Sequence, residues 1–175
     1  EIIRITAHDY DIRDGMDFAR EVKARGYKLS INPINIMGYA DKDLLWIFDQ
    51  VNAIHPWQFS IVDTFGSMRR RDLERIVSLA DHNLAPDIRL GLHLHENMAL
   101  SFCLAQEFLD KPLLRDKTVD GSLNGIGGEL RDVVVGAHGH AGVDGVAALG
   151  FRRQQAVQLL DGVADGDVGV VAVHI

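Results

Sequence analysis

Short apolar runs with strand-like character recur at residues 2–6, 28–31, 58–62, 89–93 and 117–120, their starts 26, 30, 31 and 28 residues apart. Helical patterns fill the gaps. The first runs from Ile12 through Met16 and Ala19 to about Arg25, with Asp11 in the N-cap position and Gly26 at its end. The second places Leu44, Ile47, Phe48 and Val51 on one face, the i, i+3, i+4, i+7 stripe of a helix packed on one side, and Asp41 is placed to cap it. Leu73, Ile76, Val77 and Ala80 repeat that spacing. A fourth stripe carries Leu100, Cys103, Leu104 and Phe108, and Pro112 follows it. Cys103 is read as buried and inert on that stripe.

Strand and helix alternating at this period predict parallel βα units. An open doubly wound sheet and a closed (β/α)8 barrel share the pattern. Open nucleotide-binding sheets often carry a Gly-rich phosphate loop after the first strand. Here Ala7-His8-Asp9-Tyr10 stands in that place. Polar residues instead follow each strand: His8, then Asn32 and Asn35, then Asp63 and Thr64, then His93, His95 and Asn97, then Asp120 and Ser122. Barrel enzymes place their chemistry at these strand ends. A whole barrel takes about 250 residues. The fold class expected is therefore α/β, a partial (β/α)8 TIM barrel of five strands, corresponding to barrel strands 3 to 7.

The last part of the chain breaks the pattern. Residues 129–175 are rich in Val, Gly, Ala and Asp and contain no Lys, Tyr or Trp. Only the stretch 151–160 has a helical look, and the remainder reads as strand-like or irregular. The organisation expected is a barrel-like domain over residues 1–128 and an irregular tail over 129–175.

Bulk properties narrow the class. The chain has 175 residues, of which 47% are hydrophobic, enough for one domain with a real core. A net charge of −7 without a dense Lys/Arg patch argues against a nucleic-acid surface. No apolar run approaches the ~20 residues of a membrane helix. One cysteine excludes an intrachain disulfide and fits a reducing compartment, so a cytoplasmic location is expected. The chain starts inside an apolar run without an initiator Met, as a fragment or processed product would.

The sharpest chemical signal is Gly91-Leu92-His93-Leu94-His95-Glu96-Asn97. Side chains at i and i+2 of a strand share a face, so His93 and His95 project together with Gly91 beneath them. Two adjacent imidazoles make half of a divalent-metal site. Glu96 points away from the pair in a regular strand and is not counted as a ligand. Asn97 reads as a cap for a helix beginning near Met98. Asp63 and Thr64 stand near the pair, as catalytic groups or as strand-end hydrogen-bonding residues. His8 lines the pocket or is structural. Asn32 and Asn35 line the pocket or make a turn around Pro33. The loop 120–128, containing Ser122, has the main-chain N–H groups to hold a phosphate, but no Lys or Arg. A second pair, His138 and His140, lies between glycines in the tail and is not expected to bind metal.

Together these residues resemble the HMG-CoA-lyase-like, or DRE-TIM, metal-dependent aldolases, in the branch around 4-hydroxy-2-oxovalerate aldolase. The resemblance covers roughly residues 3–127. It is carried by Arg4-Ile5-Thr6-Ala7-His8, the segment 32–39, Ile61-Val62-Asp63-Thr64-Phe65-Gly66-Ser67-Met68, the segment 91–97, and Val119-Asp120-Gly121-Ser122-Leu123 with Gly125-Ile126-Gly127. It implies a carbon–carbon lyase acting on a small 2-oxo acid, with a pyruvate-type enolate stabilised by a divalent ion. His93 and His95 match the metal-binding histidines of the sixth barrel strand. Mn2+ or Mg2+ is favoured, with Zn2+ or Co2+ also suited to such ligands. From their places at the strand ends, Asp63, Thr64 and His8 are the expected catalytic residues and Asn32, Asn35 and Ser122 the expected substrate-binding residues.

Two departures stand against it. The family's first-strand Arg-Asp motif is absent, and its Gly-Asn loop after the seventh strand is replaced by Gly128-Glu129-Leu130-Arg131. The second departure coincides with the composition shift, which suggests out-of-frame sequence after about Gly127; the coding nucleotides decide that. Two other functions stay open: a catalytically incomplete, inactive domain, and a metal-dependent barrel hydrolase. Hydrolases of that kind usually carry the pair on the first strand. An open barrel also exposes strand edges that favour association, so a homo-oligomer stays open too.

Overall fold

The five strands form with their expected starts and run one or two residues further at four of their ends: β1 (Ile2–Ala7), β2 (Lys28–Pro33), β3 (Gln58–Asp63), β4 (Arg89–Leu94) and β5 (Lys117–Asp120). The computed structural model describes residues 2–121, 146–150 and 170–174. Two further strands, β6 (Val146–Gly150) and β7 (Val170–His174), come from the Val-rich tail. The sheet is parallel throughout, in the order β5-β4-β3-β2-β1-β7-β6. The tail is thus strand-like at those two stretches. The pair His138 and His140, the segment 151–160 and Ser122 with its loop lie outside the described residues.

Helices α1 (Ile12–Ala24), α2 (Asp41–Ile54), α3 (Arg70–Asn83) and α4 (Ser101–Asp110) connect β1 to β5. Each packs against the next, α1 on α2, α2 on α3 and α3 on α4. Strands in sequence order with helices in one continuous row describe a singly wound sheet, the barrel arrangement. A doubly wound sheet would divide its helices between two faces.

Alternation along the strands explains the choice of face. In β1, Ile3, Ile5 and Ala7 are buried, while Ile2, Arg4 and Thr6 are half-buried. The buried set meets the helices and continues through Leu29 and Ile31, Phe59 and Ile61, and Leu90, Leu92 and Leu94. From the helices come Phe18, Leu44, Phe48, Leu73, Ile76 and Phe108. Phe48 and Phe59 meet edge to face, their ring centroids 5.4 Å apart.

The opposite face is polar and curled inward. Arg4 on β1 pairs with Asp120 on β5, four strands away. Four steps of about 4.8 Å would separate flat strands by about 19 Å, too far for these two side chains. The sheet therefore bends toward a barrel with this face inside.

At the ends of β4 and β5 opposite the histidines, Arg115 is buried against Asp81, with Nε 2.9 Å from Oδ1. Its guanidinium also donates to the carbonyls of Asp81, Leu84, Ala85 and Ile88, closing the end of α3.

Three local expectations need correction. Asp41 is the first residue of α2, with Ala40 at the N-cap; its carboxylate pairs with Arg75. Asp11 does occupy the N-cap of α1 but makes no side-chain cap bond. Helix α4 starts at Ser101, and Asn97 instead donates to the Phe65 carbonyl at 3.1 Å. The buried stripe of α4 runs through Ser101, Leu104, Ala105 and Phe108, which turns Cys103 outward into solvent.

Candidate functional site

The inner face begins as a packed polar layer. Gln58 donates to Ser60 Oγ at 2.8 Å and accepts from Thr118 Oγ1 at 2.9 Å, linking β3 to β5 beneath the site. β4 passes between them, and a Cβ at Gly91 would lie 2.5 Å from both Gln58 Nε2 and Ser60 Oγ. Only glycine leaves room for this crossing. Above it, at the C-terminal end of β4, stand His93 and His95. Their rings are 4.9 Å apart between centroids and inclined at 78°, both half-buried.

Each ring is held through Nδ1. His95 Nδ1 lies 2.6 Å from the Asp63 main-chain carbonyl. A carbonyl only accepts, so Nδ1 carries the proton. His93 Nδ1 lies 3.3 Å from Asp120 Oδ2. Burial works to raise the Asp120 pKa, but the hydrogen bond with His93 and the charge of Arg4 outweigh it, leaving the carboxyl below its ordinary value. An ionised carboxylate likewise only accepts. When neutral, both rings therefore carry their acceptor lone pair on Nε2. Metal-ligating histidines are oriented in this way, with the second ring nitrogen donating to a carboxylate or carbonyl.

Behind Asp120 the support continues. Arg4 donates to Asp120 Oδ2 and, at 3.3 Å, to Asn32 Oδ1. Asn32 is 1% exposed. Its amide nitrogen donates to the carbonyls of Ile5 at 3.3 Å and Ser30 at 3.2 Å.

The other expected site residues are distributed around the rim. Asp63 shares the strand parity of Phe59 and Ile61, so its side chain turns from the inner face. Its carboxylate accepts the N–H groups of Ser67 at 3.0 Å and Met68 at 3.1 Å. Burial raises its pKa, with those bonds and His95 acting in the opposite direction. Asp63 thus meets the histidine pair through its carbonyl. Thr64 Oγ1 accepts the Asn35 N–H at 2.8 Å, joining the loops after β2 and β3. Asn35 itself is left-handed, with φ 56°. His8 stacks on exposed Tyr10, ring centroids 4.9 Å apart and planes at 10°. Glu96 accepts the Ser101 N–H at 3.1 Å, serving the start of α4.

The structure therefore brings together His93, His95, Asn32 and the Asp63 carbonyl, joins Thr64 to Asn35, and sets His8 on Tyr10. Asp120 was expected only as a polar residue at a strand end, without a role, and Arg4 was not among the expected functional residues. A charge inside Ile2-Ile3-Arg4-Ile5, on the parity opposite Ile3 and Ile5, was the available signal for Arg4.

Two imidazoles have the donor chemistry for two positions of a divalent ion's shell. Among the described residues no group of three or more His, Cys, Asp or Glu stands together as a metal site. Asp120, Asp63 and Glu96 are committed to the contacts above.

No family model matches the chain, and no curated protein matches it. Solved structures do. The N-terminal domain of a candidate aldolase from Bacteroides vulgatus superposes with a TM-score of 0.66 at 15% identity, covering 97% of this chain and 49% of that one. An HMG-CoA lyase from Acinetobacter baumannii, solved with coenzyme A and 3-methylmalate, gives 0.62 at 11% identity, covering 97% and 55%. A hydroxymethylglutaryl-CoA lyase from Pseudomonas aeruginosa gives 0.63 at 12%, covering 97% and 57%. The chain has the fold of part of an HMG-CoA-lyase-like barrel. It spans about half the length of these structures. Among the described residues no helix is long and apolar enough to cross a membrane.

Proposed function

We propose that this chain is part of a divalent-metal-dependent carbon–carbon lyase that cleaves or forms the aldol bond of a small 2-oxo acid. The observation that carries the reading is the His93–His95 pair, anchored through both Nδ1 atoms at the strand ends of a lyase-like barrel fold. His93 and His95 are the residues that would hold the ion, with Mn2+ or Mg2+ favoured. When bound, such an ion supplies Lewis-acid stabilisation of a developing enolate.

The residues of this chain then divide the remaining work. Asp63, through its carbonyl, and Asp120 orient the two rings. The rim formed by Thr64 and Asn35 would position the 2-oxo acid, together with Ser122, two residues beyond Asp120 in sequence. His8 at the end of β1 is the rim group with the chemistry to accept the proton from the hydroxyl on the breaking carbon. Loss of that proton turns the C–O bond into a carbonyl. The C–C bond breaks, and its electron pair passes to the 2-oxo acid fragment as an enolate. Protonation of the enolate carbon gives pyruvate or an analogue beside the released aldehyde.

The test is pyruvate release from a 4-hydroxy-2-oxo acid with Mn2+, followed by lactate dehydrogenase and NADH. Release that disappears in His93→Ala and His95→Ala supports the reading. Folded protein that hydrolyses an ester or amide instead would redirect it to a barrel hydrolase. Cation binding without turnover would make it an inactive binding domain.

A further inference from the structure

Thr64, Asn35 and His8 come from three different strand ends, and one carboxylate joins them. Thr64 Oγ1 accepts the Asn35 N–H at 2.8 Å. The Asn35 side-chain amide donates to Asp9 Oδ2 at 3.4 Å. Asp9 Oδ1 accepts the Tyr10 N–H at 3.0 Å. Asp9 and Tyr10 are the corner residues of the turn after β1, which the Asp11 N–H closes by donating to the His8 carbonyl at 3.2 Å. In that turn the Tyr10 ring lies flat on the His8 imidazole, centroids 4.9 Å apart and planes at 10°. Tyr10 is 80% exposed, so burial does not hold it; the turn and the stack do.

We infer that Tyr10, anchored by Asp9, is a positioning residue that holds the His8 ring in one orientation at the mouth of the site. Its catalytic meaning rests on the reading of His8 as the proton acceptor; the geometry itself is measured without turnover, so the two can fail separately. The outer torsion of a histidine side chain is broad, and a ring beside solvent sweeps through it. A flat aromatic face laid against the imidazole fixes the ring plane and with it the directions of both ring nitrogens. A base works only while its lone pair stays within reach of the proton it takes. Asp9 serves this by tying the Tyr10 main chain to the loop after β2, and Thr64 ties that loop to the end of β3. The tyrosine hydroxyl has no part in the stack, so phenylalanine should replace tyrosine and alanine should not.

The test is proton–carbon correlation of the histidine rings in the whole chain at about pH 8, above the usual imidazole range. The His8 signals are assigned by their loss in His8→Gln. Protons held over an aromatic face move upfield. The His8 ring protons of the unaltered chain are therefore expected upfield of their positions in Tyr10→Ala. Tyr10→Phe should keep the displacement, and Asp9→Ala should lose part of it. Equal His8 positions in the unaltered chain and Tyr10→Ala overturn the inference, and an unchanged displacement in Asp9→Ala overturns the anchoring by Asp9. Turnover gives the second readout. In the pyruvate-release assay Tyr10→Ala should lower kcat by up to about 100-fold with KM little changed, and Tyr10→Phe should recover it. Full kcat in Tyr10→Ala overturns the positioning role. Absence of turnover in the unaltered chain overturns the lyase reading instead, and the ring spectra still decide whether Tyr10 holds His8.

Discussion

The two faces of one sheet are built from the same strands and obey different rules. Toward the helices, Ile3, Ile5, Leu29, Phe59, Ile61, Leu90 and Leu92 form an apolar layer held by burial alone. Toward the barrel interior, Arg4, Asn32, Gln58, Ser60, Thr118, Asp120 and the histidines form a layer in which contacts are specific hydrogen bonds. Removing volume from the first layer costs in proportion to the space left behind. Removing an atom from the second strands its partner. The first layer makes the fold, and the second aims two imidazoles at the mouth.

Adjacent positions on β3 test this contrast, since Phe59 and Ser60 face opposite ways. Phe59→Ala should cost about 3–5 kcal/mol in urea unfolding, the price of an emptied core position. A loss under about 1 kcal/mol would remove Phe59 from the core. Gly91→Ala pushes a methyl into Gln58 and Ser60 and should cost about 1–3 kcal/mol, typical of overpacking. Thermal unfolding of the alanine variant measures this, and a neutral result would mean the inner layer is loose. Ser60→Ala should cost about 1 kcal/mol, the usual net worth of one hydrogen bond, although the side chain is fully buried.

The smallest effect is expected at Tyr39, a core residue whose hydroxyl has no hydrogen-bond partner among the described residues. Tyr39→Phe should be neutral or stabilising by up to about 1 kcal/mol at neutral pH. Burial, reinforced by Asp9, Asp11 and Asp43, pushes the phenol pKa up from its ordinary value. A raised folded pKa contributes stability that is complete below the unfolded value and lost as pH rises toward the folded one. Alkaline loss of stability above about pH 10 should therefore be shallower in Tyr39→Phe. Equal slopes in the two proteins would contradict the burial of that hydroxyl.

The apolar layer is also the layer legible in the sequence. Strand starts at 2, 28, 58, 89 and 117 and the stripes of α2 and α3 stand as the spacing of apolar residues predicts, because one-sided burial imposes a period. Cys103 misleads because Leu100 lies outside α4, and the buried face is set by Ser101, Leu104, Ala105 and Phe108, with Cys103 on the opposite side. Asn97 misleads because a cap and a loop tie use the same side chain. The histidine pair is legible from i, i+2 spacing. Its support is not. Arg4 and Asp120 lie 116 positions apart and meet only because the sheet curls. Parity places the Asp63 side chain away from the inner face, but that its carbonyl receives His95 requires three dimensions.

Cobalt titration addresses the central claim, that two ring nitrogens converge on a cation at the strand ends. The visible absorption of Co2+ reports nitrogen ligation directly. The account predicts a Co2+ spectrum that grows on titration of the unaltered chain and is lost in His93→Ala and in His95→Ala, while each variant keeps its urea unfolding transition. An undiminished spectrum in both single variants would contradict it.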